Sequence, residues 1–293
     1  MKSIESSFAS QGLRCAGTLL MPAQGERPPV IVMAHGFAGV RAMLLPHAER
    51  FVEAGYAVFL FDYRNFGDSE GQPRHWVDPA RHLADWEAAI RHVRNLDGLD
   101  TGRMVLWGTS LSGGHVVCMA AGGQPVAAVI AGHPLMSGWA AIAAMRPLAI
   151  LRLTLTGLRD VIGSLVGKPH YLPVVGRPGE HAALSGAEAW AGMERLKAIA
   201  NVQWENKVLG RVLLKIPHYN PIRVAHKVRV PTLVIAGSND TIVSAVVARK
   251  ASRRMRHGEF TLHASDHFQP YYGDYLDENV KVQLAFLHKH VPL

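Results

Sequence analysis

The sequence predicts an α/β fold, a mostly parallel central sheet flanked by helices, and three observations point to it. Short apolar runs recur along the chain, separated by segments of helical length. Most of these runs are continuous and not alternating, as strands buried on both faces of a parallel sheet require. The rhythm then breaks over residues 134–228, which hold no convincing central strand and read as a helical cap inserted between late strands. At 293 residues, with 48% hydrophobic and 18% charged side chains, the chain has the size and balance for one globular core with an inserted subdomain.

Taken in order, residues 8–20 read as an N-terminal hairpin on the sheet edge. Buried strands follow at 30–34 (Val-Ile-Val-Met-Ala), 56–61 (Tyr-Ala-Val-Phe-Leu-Phe), 104–107 and 126–131 (Val-Ala-Ala-Val-Ile-Ala). Helical segments lie between them at 42–54, 78–94 and 111–121, and right-handed crossovers join strand to strand. After the insertion come a strand at 232–236, a helix at 243–256 and a strand near 259–263. The expected division is a core over 1–133, a cap over 134–228 and the rest of the core over 229–293. Such a cap covers the carboxyl ends of the strands, where an open α/β sheet binds its ligand. Within it, 187–202 is helix-compatible. Trp139, Ile142, Leu148, Leu151, Leu155, Leu158, Ile162 and Leu165 are candidates to line or floor an apolar pocket, or else to form the core of the cap.

Composition narrows the function classes. Cys15 and Cys118 give neither a disulfide framework nor a metal-ligand spacing, and they read as buried free thiols in a reducing compartment. The first residues have no apolar core of a secretory signal, so the expected location is the cytoplasm. Residues 120–145 lack Asp, Glu, Lys and Arg, but Gly122, Gly123, Pro125, Gly132 and Pro134 interrupt them, which resolves the run into a helix end, a turn and a strand and not a membrane span. The net charge of +8 is spread along the chain. Its densest group, Arg249, Lys250, Arg253, Arg254 and Arg256, has helical spacing and reads as a solvated face, so no nucleic-acid partner is expected.

The chemistry centres on residues 104–114, Met-Val-Leu-Trp-Gly-Thr-Ser-Leu-Ser-Gly-Gly. An apolar strand runs into a small-residue turn with Ser110 at its apex and a helix behind, which lifts a serine hydroxyl clear of the sheet. The motif departs from G-x-S-x-G at Ser112, with Gly113 and Gly114 following. A nucleophilic serine needs a general base, and the base needs a carboxylate to orient it. Asp240 falls in the loop after the 232–236 strand and His267 in the loop after the next, on the same sheet edge as Ser110. Of sixteen histidines, His263 lies within a strand, His257 in a basic turn and His115 on the helix behind the turn, so His267 is the best base. Asp240 orients it better than the adjacent Asp266.

The first buried strand ends in His35-Gly36-Phe37, whose turn exposes backbone N–H groups. An oxyanion hole can combine the N–H of Phe37 with that of Leu111. His35 reads as a structural hydrogen-bonder, and Gly36 belongs to the same turn. The loop of Asp62 and Arg64 reads as a brace for the site, and His133 and Trp139 as residues bordering the pocket.

These residues together resemble the α/β-hydrolase superfamily over essentially the whole chain: His-Gly-Phe at 35–37, Asp-Tyr-Arg-Asn-Phe-Gly-Asp-Ser at 62–69, the turn at Ser110, Pro-Thr-Leu-Val-Ile-Ala-Gly-Ser-Asn-Asp at 231–240 and Asp-His-Phe at 266–268. The turn is similar to that of dienelactone-hydrolase-related and acyl-peptidase-like esterases, a group that includes fungal polyketide transferases and thiohydrolases. In that group serine is tolerated at the place of Ser112. Dienelactone hydrolases proper carry a cysteine nucleophile and haloalkane dehalogenases an aspartate, where this chain has Ser110. The expectation is a metal-independent, cofactor-free serine hydrolase of a small-molecule carboxylic ester or thioester, with a medium or bulky apolar group. Alternatives using the same triad are acyl transfer and amide or peptide cleavage; a different class is a non-catalytic binding protein of the same fold. An exposed apolar face on the cap would suit a homodimer.

Overall fold

The computed structural model describes residues 1–293. The core elements are β1 (Lys2–Ser10), β2 (Leu13–Met21), β3 (Pro29–Ala34), α1 (Leu45–Glu53), β4 (Ala57–Phe61), α2 (Pro79–Arg94), β5 (Asp100–Thr109), α3 (Leu111–Ala121) and β6 (Ala128–Gly132). An insertion follows with α4 (Gly138–Ala143), α5 (Pro147–Ser164), α6 (Ala187–Ala200), α7 (Val212–Lys215) and two short two-stranded ribbons. The core resumes with β7 (Thr232–Gly237), α8 (Ala245–Ser252), β8 (Gly258–His263) and α9 (Gly273–His290).

Eight strands form one sheet in the order β1-β2-β4-β3-β5-β6-β7-β8. The β1–β2 hairpin and its join to β4 are antiparallel, and every later pairing is parallel. Strands β3, β4, β6 and β7 are buried at every position, the physical counterpart of their unbroken apolar runs. Parallel pairing brings the carboxyl ends to one edge: Ala34 lies beside Gly108, Thr109 beside Gly132, and Gly237 beside His263. Each chemistry-bearing loop leaves from that edge. The hairpin runs over residues 2–21, longer than the expected 8–20, because β1 is an edge strand whose outward Ser and Glu positions carry no hydrophobic signal. No helix is long and apolar enough to cross a membrane.

Inside the insertion one buried ion pair fixes the geometry. Asp160 on α5 accepts from Arg211 Nε at 2.6 Å and Nη2 at 3.0 Å, and also from the backbone N–H groups of His170 and Arg211 at 2.8 Å each. Burial pushes the Asp160 carboxyl up, but Arg211 and the His170 amide more than offset it and hold its pKa below the usual range. Gly157, one turn earlier, lets α5 lie on α7, since a Cβ there would come 2.7 Å from Leu214 Cγ.

The opposite face of α5 corrects one expectation. Leu148, Leu151, Leu155, Leu158, Ile162 and Leu165 neither line the cavity at Ser110 nor form a core, being between 44% and 83% exposed. Trp139 on α4 is 65% exposed and lines no part of the cavity described below. Of the eight apolar candidates in this region only Ile142 reaches it. The amphipathic pattern was real, but the inward face is the one carrying Leu153, Thr156, Gly157 and Asp160.

Candidate active site

Ser110 sits between β5 and α3 with φ 56° and ψ −121°, a left-handed backbone that a non-glycine residue rarely adopts. Tight packing holds it there. Its N–H donates to Gly132 O at 2.9 Å, and a Cβ on Gly108 would lie 2.3 Å from Ser112 O. A Cβ on Gly36 would lie 2.9 Å from Ser110 Cβ, so this glycine lets the turn after β3 close over the serine. The departure at Ser112 now has a physical account. Its buried hydroxyl pairs with Tyr63 Oη at 2.8 Å, while the close approaches fall on the next two positions. A Cβ on Gly113 would meet Pro134 at 2.8 Å, and one on Gly114 would meet Leu135 O at 2.6 Å.

The structure brings Ser110, His267 and Asp240 together. His267 Nε2 is 3.0 Å from Ser110 Oγ, and Nδ1 is 2.7 Å from Asp240 Oδ2. The other carboxylate oxygen of Asp240 accepts from the N–H groups of Ile242 at 2.9 Å and Val243 at 2.8 Å. Geometry thus assigns Nδ1–H donating to Asp240, leaving Nε2 to accept from the serine hydroxyl. Burial pushes His267 down, yet the adjacent Asp240 charge and hydrogen bond, joined by Glu188 and Asp266, raise its pKa above the ordinary histidine value. Burial likewise pushes Asp240 up, and His267 with the Val243 amide brings it below the usual carboxylate value.

Leu111 opens α3, so its N–H is among the helix's first amides, which have no intrahelical acceptor. Leu111, Phe37 and Ser110 share the wall of one cavity of about 210 Å³. Fourteen of its 18 lining residues are hydrophobic and none is charged; Leu135, Ile142, Met145, Leu153, Leu213 and Ile216 come from the insertion and its approach. A smaller compartment of about 40 Å³ shares Ser110, Phe37 and Leu184 with it and is also lined by His267, Gly36, Met43 and Tyr271.

Of the remaining candidates, His35 and Gly36 line the small compartment and the others stand behind the site. His35 is buried with Nδ1 3.0 Å from Gly36 O, and burial lowers its pKa, so it is a neutral hydrogen-bonder in the turn. Asp62 and Arg64 do not pair with each other. Asp62 accepts from the backbone N–H of Arg41 at 2.7 Å and from its guanidinium, and Arg64 donates to Asp85, to Gln11 Oε1 and to the carbonyl of Arg81. Both lie outside the two cavities and tie the hairpin, α2 and the turn after β3 into one support. His133 does not border the cavity. Its ring stands edge-on to that of His267 at 6.1 Å, and burial with the His267 charge pushes its pKa down to about 3. His115, the competing histidine, bonds Tyr219 Oη at 2.7 Å and is pushed by burial to about 3.

Sequence reasoning missed Arg41, Asp85 and Glu188. Arg41 and Asp85 are the partners of residues it did select, brought there by tertiary packing with no local motif to mark them. Glu188 is an acidic residue in the first turn of a helix, a placement so common that it carries no signal for a site.

The chain is similar to known proteins over its whole length. The chain is 38% identical over 294 residues, 99% of its length and 96% of the relative's, to quorum-quenching protein AidA of Acinetobacter baumannii. It is 39% identical over 127 residues, 43% of its length and 39% of the relative's, to thiohydrolase aneE of Aspergillus aculeatus. Among solved structures, the α/β hydrolase GrgF from a Penicillium species covers 100% of both chains with a TM-score of 0.85 at 23% identity, a likeness of fold. A family model described as X-Pro dipeptidyl-peptidase (S15 family) matches residues 11–269, so the chain belongs to that family and is a hydrolytic enzyme of the α/β-hydrolase type.

Proposed function

We propose that the protein cleaves a carboxylic ester or thioester with an apolar acyl group, through an acyl-enzyme on Ser110. The observation that carries this reading is the Ser110–His267–Asp240 relay at the wall of an uncharged, apolar cavity. His267 takes the proton of the attacking hydroxyl, Asp240 holds the imidazole tautomer, and the N–H groups of Phe37 and Leu111 receive the developing oxyanion. His267 must then protonate the leaving group, which puts the leaving side at the small compartment and the acyl group in the large one. The residues of the insertion that line the cavity make it a cap over the site.

The family description names a dipeptidyl-peptidase. Release of a dipeptide from a chain's amino end requires a group that fixes an ammonium, and no carboxylate lines the large cavity. An apolar ester meets it without such a group. The relatives' names, thiohydrolase and quorum-quenching protein, are consistent with a small-molecule substrate. A series of p-nitrophenyl esters and matching thioesters from acetyl to octanoyl tests the reading. Each added methylene buried is worth ~0.8 kcal/mol, so kcat/KM is expected to rise about fourfold per carbon until the cavity fills. Xaa-Pro p-nitroanilides are expected to turn over at background. Preference for acetyl, or turnover of the anilides alone, would contradict it.

We also propose a homodimer through the exposed face of α5. Leu148, Leu151, Leu155, Leu158, Ile162 and Leu165 alternate at three and four residues, the seam spacing that packs against another helix. They stand exposed along one helix face, and a stable interface through it is expected to bury about 1,200–2,000 Å² in all. Light scattering is expected to give twice the 31.9 kDa chain mass, and Leu155→Glu combined with Ile162→Glu the monomer mass. A monomeric wild type, or one whose anionic-vesicle binding the double variant abolishes, would assign this face elsewhere. The two free thiols, Cys15 and Cys118, support a reducing, cytoplasmic setting.

A further inference from the structure

Helix α6 turns one face toward the loop that carries His267. Glu188, Gly192 and Arg195 follow one another at four and three residues, and each meets that loop. Glu188 Oε1 accepts the backbone N–H of His267 at 2.6 Å. A Cβ on Gly192 would lie 2.3 Å from the Phe268 ring, so the helix backbone rests directly on that ring. The Arg195 guanidinium lies 4.3 Å from the centre of the Tyr272 ring.

The second oxygen of Glu188 reaches the other loop. Oε2 accepts the N–H of Thr241 at 2.9 Å and also the Thr241 hydroxyl, one residue after Asp240. One carboxylate from the insertion therefore holds the base loop and the acid loop with charge-assisted hydrogen bonds, which are about twice as strong as neutral ones. The residues beside it face the substrate cavity: Leu184, Ser185, Gly186 and Ala189 all line it. The segment that meets the acyl group is the segment that sets the spacing of the two loops.

We propose that Glu188 is a positioning residue: it couples the seating of the cap to the alignment of His267 with Asp240 and Ser110. This rests on the hydrolase reading above. The carboxylate touches backbone N–H groups and the Thr241 hydroxyl and not the reacting atoms, so its effect falls on kcat more than on KM. A misalignment of about 1 Å at such a site costs up to about 100-fold. The charged and titratable groups around His267 are Asp240 after β7, Asp266 beside it, Glu188 on α6 and His133 behind it. Loss of the Glu188 charge removes one of the groups that raise the His267 pKa.

Two variants test it with a medium-chain ester. Glu188→Ala is expected to lower kcat about 30- to 100-fold with KM within about threefold of wild type. Glu188→Gln keeps one acceptor oxygen but turns an NH₂ toward the N–H donors of the other loop, and is expected to lower kcat about tenfold. Both are expected to move the acid limb of the kcat/KM profile to lower pH, a readout that a role in stability alone would not move. If Glu188→Ala fails to fold, Glu188→Gln carries the test. A folded variant with wild-type kcat and an unmoved acid limb overturns the proposal alone. A wild type that takes no fluorophosphonate and cleaves no ester overturns the hydrolase reading, and the positioning role with it.

Discussion

Ser110→Ala is expected to lower ester turnover by about 10⁴- to 10⁶-fold while leaving the fold intact. The serine hydroxyl has one partner, His267 Nε2 at 3.0 Å, so its removal strands no other group. Alanine meets the same strain at φ 56° as serine does, and the tight turn is held by backbone contacts to Gly132 and by the glycines around it. The melting temperature should therefore move little. Residual activity should come from the Phe37 and Leu111 amides and from substrate binding, which in other serine hydrolases leave about 10³- to 10⁴-fold over water. Steady-state assay with a p-nitrophenyl ester, beside a thermal melt, checks both. A folded variant that keeps more than about 1% of wild-type kcat would remove Ser110 from the chemistry.

Asp240→Asn has the next largest expected effect, a fall of about 10⁴-fold in kcat, and the direction follows from the neighbours. The Ile242 and Val243 amides both donate to Oδ1. In the variant those donors keep the amide oxygen, so the NH₂ turns toward His267 Nδ1. The imidazole then carries its proton on Nε2 and cannot accept one from Ser110. The acid limb should also move. Apart from burial, which pushes it down, the Asp240 charge is the largest influence on the His267 pKa and raises it. In the wild type, activity should rise as His267 loses its proton at a pKa above 6.5, and in the variant that limb should lie lower. The same pair contributes stability with two signs. The raised His267 contributes fully below its unfolded pKa, and the contribution is lost as pH climbs through the folded value. The depressed Asp240 contributes above its unfolded pKa, and the contribution is lost as pH falls through the folded value. An unmoved acid limb in Asp240→Asn would mean that Asp240 does not set the protonation of His267.

Much of this was legible in the residues, for reasons that differ from element to element. The buried strands showed because continuous Val, Ile, Leu and Ala runs have no other easy home in a chain this size. Once the strands were placed, parallel pairing carried Ser110, Asp240 and His267 to one edge. The same logic failed for α5, where a helix with an apolar stripe was assigned the wrong side. Spacing alone does not say which face meets the core, and the inner face here uses Gly157 and the Asp160–Arg211 pair. Trp139 misled in the same way, a large apolar residue left outside by the turn of a short helix. The departure at Ser112 has no reason in the local sequence, because its partner, Tyr63, is 49 residues away in the chain. Glu188 left no trace in the sequence. Its importance comes from two loops that meet it only in the folded molecule.

Mass spectrometry of the intact protein after a fluorophosphonate, with peptide mapping of the adduct, tests the central claim most directly. The account predicts one adduct per chain, on Ser110, absent from Ser110→Ala and strongly slowed in Asp240→Asn. Active enzyme that cleaves esters yet carries no adduct, or carries it on another residue, would contradict it.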